Sequence, residues 1–220
     1  MEDKSKERLS FWRKLAFGLG DIYGGGSGVV IGFYYLVFLT DVIHINPGLA
    51  GTVILISKVY DAITDPLEGM LADRTRTRWG RRKPYLVVWT PLVFLSFFLM
   101  WYPASLESEL GRFAFVLSTY LFFSTVVSIV QLSYNAAVPE MTMDYDERAS
   151  ISSFRIFFSS VASLVAAVLP LEIVKRFPDV RQGYIAMGIF FGLFFALPFI
   201  PSISSILERY ELQQPVSEFN

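Results

Sequence analysis

Lys58, Asp61, Asp65 and Glu68 follow one another at spacings of three, four and three residues inside an otherwise apolar stretch. Side chains at that spacing share one face of a helix, so the four make a single ionisable stripe. Asp61 lies twelve residues from Leu49 and twelve from Asp73, about 18 Å from either end of such a helix. Two carboxylates, the Thr64 hydroxyl and the Ala62 carbonyl, freed because Pro66 has no N–H, are the hard oxygen donors that a small cation takes. A Lys58–Asp61 ion pair inside a bundle accounts for those two residues. It leaves Asp65 unexplained, since an unpaired carboxylate at that depth costs several kcal/mol.

Two more polar stripes lie in apolar surroundings. Ser124, Ser128, Gln131 and Asn135 recur at three or four residues with Tyr134 beside them, which excludes a face turned to lipid. Interhelical hydrogen bonding accounts for Ser124, while Ser128 and Gln131 lie deeper, where a ligand can meet them. Arg148, Ser152, Arg155, Ser159 and Ser163 share a face; Arg155, about 10 Å beyond Arg148, is too deep to snorkel easily and suits a cavity-facing donor. Asp21 precedes Gly24, Gly28 and Gly32 and reads either as a site group or as a solvated helix start. The glycine spacing predicts a packing face, with a hinge as the alternative.

Lys58 and Arg155 against Asp21, Asp61 and Asp65 leave the apolar region one positive charge short, with Glu68 taken as solvated. A bound Na+ or one proton supplies that charge.

The elements that must carry these residues are membrane helices. Of the 220 residues 53% are hydrophobic, 16% aromatic and only 18% charged, and the charges cluster between long apolar runs. Mean hydropathy is +0.46, above that of a soluble domain. Spans of about 20 residues are predicted at Leu15–Thr40, Leu49–Asp73, Pro84–Trp101, Arg112–Val138, Ser150–Ile173 and Gly183–Leu207. Backbone groups in lipid must be satisfied within the segment, so the expected fold is all-α with six transmembrane helices. Thirteen Lys and Arg on one side against four on the other put both termini in the cytoplasm. Residues 1–14 form a cytoplasmic lead-in, 15–207 the membrane domain and 208–220 the start of a cytoplasmic loop. Trp12, Trp79 and Trp101 are expected in an interfacial belt.

The segment from Asp73 to Lys83 holds six basic residues. Between two spans it sets topology and locks a loop, with Gly69, Asp73, Arg74, Gly80, Arg81 and Arg82 as the cytoplasmic gate, and nucleic acid is not a partner. The absence of cysteine excludes disulfides and thiolate chemistry. No phosphate loop, zinc-spaced histidine pair or nucleophile elbow occurs, so neither an enzyme nor an organic cofactor is expected; the lone His44 reads as solvated.

Three stretches, GLGDIYGGG with FYYLVFLTDV, KVYDAITDPLEGMLADRTRTRWGRRKPY, and NAAVPEMTMDYDER followed by SSFR, resemble the glycoside-pentoside-hexuronide cation symporters of the major facilitator superfamily, of which melibiose permease is a member. The resemblance implies cation-coupled sugar uptake by alternating access in a plasma membrane, with prokaryotic relatives. It implies Asp61, Asp65 and Ser128 as cation ligands and Lys58 as charge balance; Thr64 stands where asparagine is frequent, leaving Na+, Li+ and H+ open. Asp21 and Arg155 match sugar-binding positions, with Tyr134 in the same set. Gln131 and Asn135 replace an aspartate and a tryptophan of melibiose permease, which argues against an α-galactoside. Twelve-helix transporters of this kind have two six-helix halves, so the chain is expected to be an N-terminal half that needs a C-terminal half or a second copy. The same scaffold moving a lysolipid, or a non-transporting assembly factor or sensor, are the competing readings.

Overall fold

The computed structural model describes residues 8–74, 77 and 80–207, apart from the side chains of 71–74. Among them every regular element is helical; the one β-type pairing is an isolated antiparallel bridge between Thr77 and Gly80. The elements are α1 (Phe11–Gly18), α2 (Asp21–Val30), two π-helical segments (Ile31–Tyr35 and Phe38–Val42), α3 (Pro47–Arg74), α4 (Lys83–Met100), α5 (Glu109–Met141), α6 (Tyr145–Val174), α7 (Val180–Ala196) and α8 (Phe199–Ser205).

Local chemistry sets the helix starts. Ser10, Ser108, Asp144 and Asp179 each accept a backbone N–H of the following turn, supplying the acceptor that the first exposed amides need. Pro84 sits in the first turn of α4, where its missing N–H costs nothing. His44 (φ 57°) turns the chain from the second π segment toward α3.

Among the described residues, four stretches are long and apolar enough to cross a membrane: α4, α5, α6 and Val180–Ser205 across α7 and α8. The first expected span is instead divided by a break at Leu19–Gly20 and two π segments, and α3 carries the ionisable stripe.

α2 lies along α6, α3 along α5, and α4 between α5 and α7, while α1 meets α6 and α8. Phe97, Phe195, Tyr23 and Phe199 form the aromatic middle of this core. Trp101 departs from the expected belt. It is fully buried, because the close of the first span and α7 cover the end of α4 with Tyr35, Phe38 and Tyr184, whose ring centroids lie 5.3–5.9 Å from it. Trp12 is 74% exposed.

The glycines also depart from their expected roles. A Cβ at Gly28 or Gly32 would meet nothing within 4 Å, so neither packs. The close approaches are at Gly18, where a Cβ would lie 2.9 Å from the Phe154 Cβ, and at Gly25, where it would lie 2.4 Å from the Ser159 carbonyl oxygen. These two, on α1 and α2 at either side of the break, seat the first span on α6.

Candidate functional site

α3 and α5, connected in the chain through the antiparallel α4, run parallel in direct contact and keep register. Ser124 Oγ donates to Asp61 Oδ1 at 2.5 Å and Ser128 Oγ to Asp65 Oδ1 at 2.7 Å. Both pairs are 63 residues apart, so a four-residue step on one helix meets a four-residue step on the other. Ser57 Oγ donates to Ser124 at 3.3 Å, and Tyr60 OH lies 2.9 Å from Thr125 Oγ1. Lys58 Nζ stands 3.3 Å from Asp61 Oδ2, with a side chain 69% exposed.

Thr64 does not join this ladder, because its hydroxyl donates to the Tyr60 carbonyl at 3.0 Å within its own helix. Ser124, assigned by the sequence to helix packing alone, is the Asp61 partner; its four-residue offset from Ser128, equal to that between the aspartates, is the signal for it. Glu68 is half-buried, with its Oε2 shielded and lacking a hydrogen-bond partner.

The second group assembles around Arg155. Its Nε is 3.2 Å from Asp21 Oδ2 and its Nη2 3.5 Å from Asp21 Oδ1, while Nη2 also donates to Asn135 Oδ1 at 2.5 Å. The two contacts make an ion pair but not the bidentate form with two parallel hydrogen bonds, since Arg155 Nε lacks an aligned acceptor. The guanidinium carbon lies 4.7 Å over the Tyr134 ring, a cation–π distance. The Tyr134 hydroxyl is turned away into the core, where it donates to the Phe17 carbonyl at 2.7 Å. Tyr134 therefore supports Arg155 from beneath and presents no polar atom to a solute.

A cavity of about 660 Å³ joins the two groups. Asp21, Arg155, Gln131, Asn135, Lys58 and Asp61 all line it, and Gly24, Gly28 and Gly32 form its bare wall. Asp65 and Ser128 sit one helical turn beyond the Asp61–Ser124 pair, outside that lining. The volume suits a small organic solute, and carboxylates with hydroxyls suit a small cation.

At the far end of α3 and α5, Arg82 Nε is 3.0 Å from Glu140 Oε1 with both side chains buried. Gly80 adopts φ 98°, a conformation that favours glycine, and exchanges backbone hydrogen bonds with Thr77. Arg81 is buried beside it. Gly69 is placed on α3 with open space around it, while the Asp73 and Arg74 side chains and Trp79 lie outside the described residues. Glu140, not singled out in the sequence, is the acidic residue next to Pro139 in the last turn of α5. The α6 start is held similarly. Glu147 Oε2 lies 2.8 Å from Lys14 Nζ and accepts the Leu9 N–H at 3.0 Å. Burial alone would raise the Glu147 carboxyl, but these two hydrogen bonds and the lysine charge outweigh it and hold it below its ordinary 4.5.

Residues 16–218 match the model of the family described as MFS/sugar transport protein. The chain belongs to that family. Among its relatives, an uncharacterized symporter, sll1374, of Synechocystis is 38% identical over 81% of this chain and 34% of its own length. A putative glycoside/cation symporter, YagG, of Escherichia coli K12 is 32% identical over 96% of this chain and 46% of its own. Sodium-dependent lysophosphatidylcholine symporter 1-B of Danio rerio is 31% identical over 78% and 32%. The chain thus spans from about 32% to 46% of the length of these relatives. Members of this family are membrane transporters and not, in general, enzymes, and these relatives are symporters.

Proposed function

We propose that this chain is the cation-coupling half of a symporter that moves a sugar or glycoside with Na+ or H+ by alternating access. In this reading residues 15–207 form six spans with both termini cytoplasmic, in a plasma membrane of a prokaryote, and 208–220 begin a connecting loop to a second half. Asp61 and Asp65, with Ser124 and Ser128, hold the coupling ion, and Lys58 balances Asp61. Asp21, Arg155, Gln131 and Asn135 face the solute. The observation that carries this is the cavity: the Asp61–Ser124 pair opens onto the same space as Arg155, so ion and solute can sense each other's charge. Gly80, Arg81 and Arg82, anchored on Glu140, form the cytoplasmic lock together with Gly69, Asp73 and Arg74.

The test is uptake by the transporter that contains this chain. Asp61→Asn and Asp65→Asn should each abolish Na+- or proton-stimulated uptake of the solute, and ion dependence unchanged in both would remove the assignment. A lysolipid as cargo is the second reading, supported by the similarity to sodium-dependent lysophosphatidylcholine symporters; competition of labelled sugar by lysolipid discriminates the two.

A further inference from the structure

The first span loses its α-helical bonding at Leu19–Gly20, directly before Asp21. In a continuous helix the Phe17 carbonyl would take the Asp21 N–H. It takes the Gly20 N–H at 3.1 Å instead, in a tighter three-residue bond. Two side chains from distant helices complete its bonding, the Tyr134 hydroxyl of α5 donating at 2.7 Å and Ser202 Oγ of α8 at 3.2 Å. Phe17, Tyr134 and Ser202 are all fully buried. Gly20 makes room for them, since a Cβ there would lie 2.7 Å from Tyr134 Cε2 and 2.8 Å from Ser202 Oγ. The break is thus a packed junction of α1, α5 and α8.

The ring of Tyr134 serves the ion pair of the cavity. The Phe17 ring stacks on it with centroids 4.6 Å apart, and the Arg155 guanidinium carbon lies 4.7 Å from its centroid; groups at those distances must take opposite faces. Phe199 meets the ring edge-on at 5.9 Å. Arg155 therefore rests on a ring held on its other face, at one edge and at its hydroxyl. Asp21, its partner at 3.2 Å, is the first residue of α2 beyond the junction.

We propose that Tyr134 is a positioning residue that fixes the Asp21–Arg155 pair from both sides, Arg155 through its ring and Asp21 through the hydroxyl it shares with Ser202 on the Phe17 carbonyl. Its bearing on transport rests on the symport reading above, in which that pair faces the solute. A phenol is rigid, so its two contacts move together. A solute that draws the guanidinium off the ring thereby loosens the junction of α1 with α8, which links occupancy of the cavity to helices outside its lining.

Modification of arginines by phenylglyoxal, followed residue by residue by peptide mass spectrometry on the full chain in nanodiscs, tests the positioning without a solute. The exposed Arg176 sets the unhindered rate, and Arg82, buried on Glu140, reports whether the fold is intact. In Tyr134→Leu, Arg155 should react about tenfold faster than in the parent, the factor that a lost cation–π contact represents. Tyr134→Phe keeps the ring and should give about threefold, the loss of one hydrogen bond. Amide hydrogen exchange at residues 19–21 should rise in Tyr134→Phe and in Ser202→Ala alike. An Arg155 rate at the parental level in Tyr134→Phe, or exchange at 19–21 unchanged in both hydroxyl variants, overturns the proposal; if Tyr134→Leu also exposes Arg82, those two conservative variants decide alone. Symport stands separately on the Na+ response of Asp61→Asn and Asp65→Asn. Arg155 protected by Tyr134 with no ion response there removes symport and keeps the positioning role, and the converse pattern removes the positioning role alone.

Discussion

Two seams hold the membrane helices around the cavity, and they handle charge in opposite ways. Along the first span and α6 the backbones touch: Gly18 and Gly25 admit α6, Ser163 donates to the Gly25 carbonyl at 2.9 Å, and Tyr34 donates to the Ala167 carbonyl. The charges on this seam, Asp21 and Arg155, cancel each other. Along α3 and α5, Gly51 and Gly69 meet nothing within 4 Å, and contact runs through hydroxyls. Lys58 offsets Asp61, but Asp65 receives only the neutral Ser128 hydroxyl, and Glu68 Oε2 receives nothing. One seam closes its charge within the protein, whereas the other is left negative. A structural ion pair and a site for a mobile ion are thus separated by the presence or absence of a resident counter-charge.

The largest effect that could break this comparison is at Asp65. Thermal unfolding of the purified chain with and without Na+, and across pH, should show ion-dependent stabilisation that Asp65→Asn removes completely and Asp21→Asn retains; the opposite pattern would invert the comparison. Next is the close contact on α2. Gly25→Val must displace α6 backbone and should cost about 3 kcal/mol or more, read as a fall in melting temperature. Gly28→Ala, facing open space, should be neutral or stabilising by up to about 1 kcal/mol. A smaller effect is expected when Asp21→Asn strands the Arg155 guanidinium, about 1–3 kcal/mol for a partly buried pair. The smallest sits outside the membrane. The folded-state carboxyl of Glu147 lies below its ordinary 4.5, so its contribution is complete above that value and is lost as pH falls through the lower folded value. Glu147→Gln should cost about 1 kcal/mol or less at neutral pH, and chemical denaturation of mutant and parent should converge in acid.

The sequence shows which residues share a face and is much weaker on what that face touches. The stripe on α3 and the Ser124–Asn135 stripe on α5 are periodic, and periodicity survives into the fold. Their pairing depends on helix register, which no single segment encodes; for this reason Ser124 reads in the sequence as packing alone. Gly24, Gly28 and Gly32 have the spacing of a helix contact, yet the contact formed one position away at Gly25, because composition cannot say on which side the neighbour lies. Trp101 has the composition and position of a belt residue and is buried by Tyr35, Phe38 and Tyr184 from distant parts of the chain.

The two π segments bear on that same difficulty. From the exposed Gly28 and Gly32, uninterrupted α-helical phase brings Tyr35 and Leu39 round to the cavity side, yet both are buried in the core. Each π turn accommodates one surplus residue, as the Ile43 N–H to Phe38 carbonyl bond of 3.1 Å records. The first span therefore works like two dials on one shaft, its glycine half aimed at the solute path and its aromatic half at the protein interior. Removing a single residue between them would leave hydropathy and length almost unchanged while turning one dial against the other.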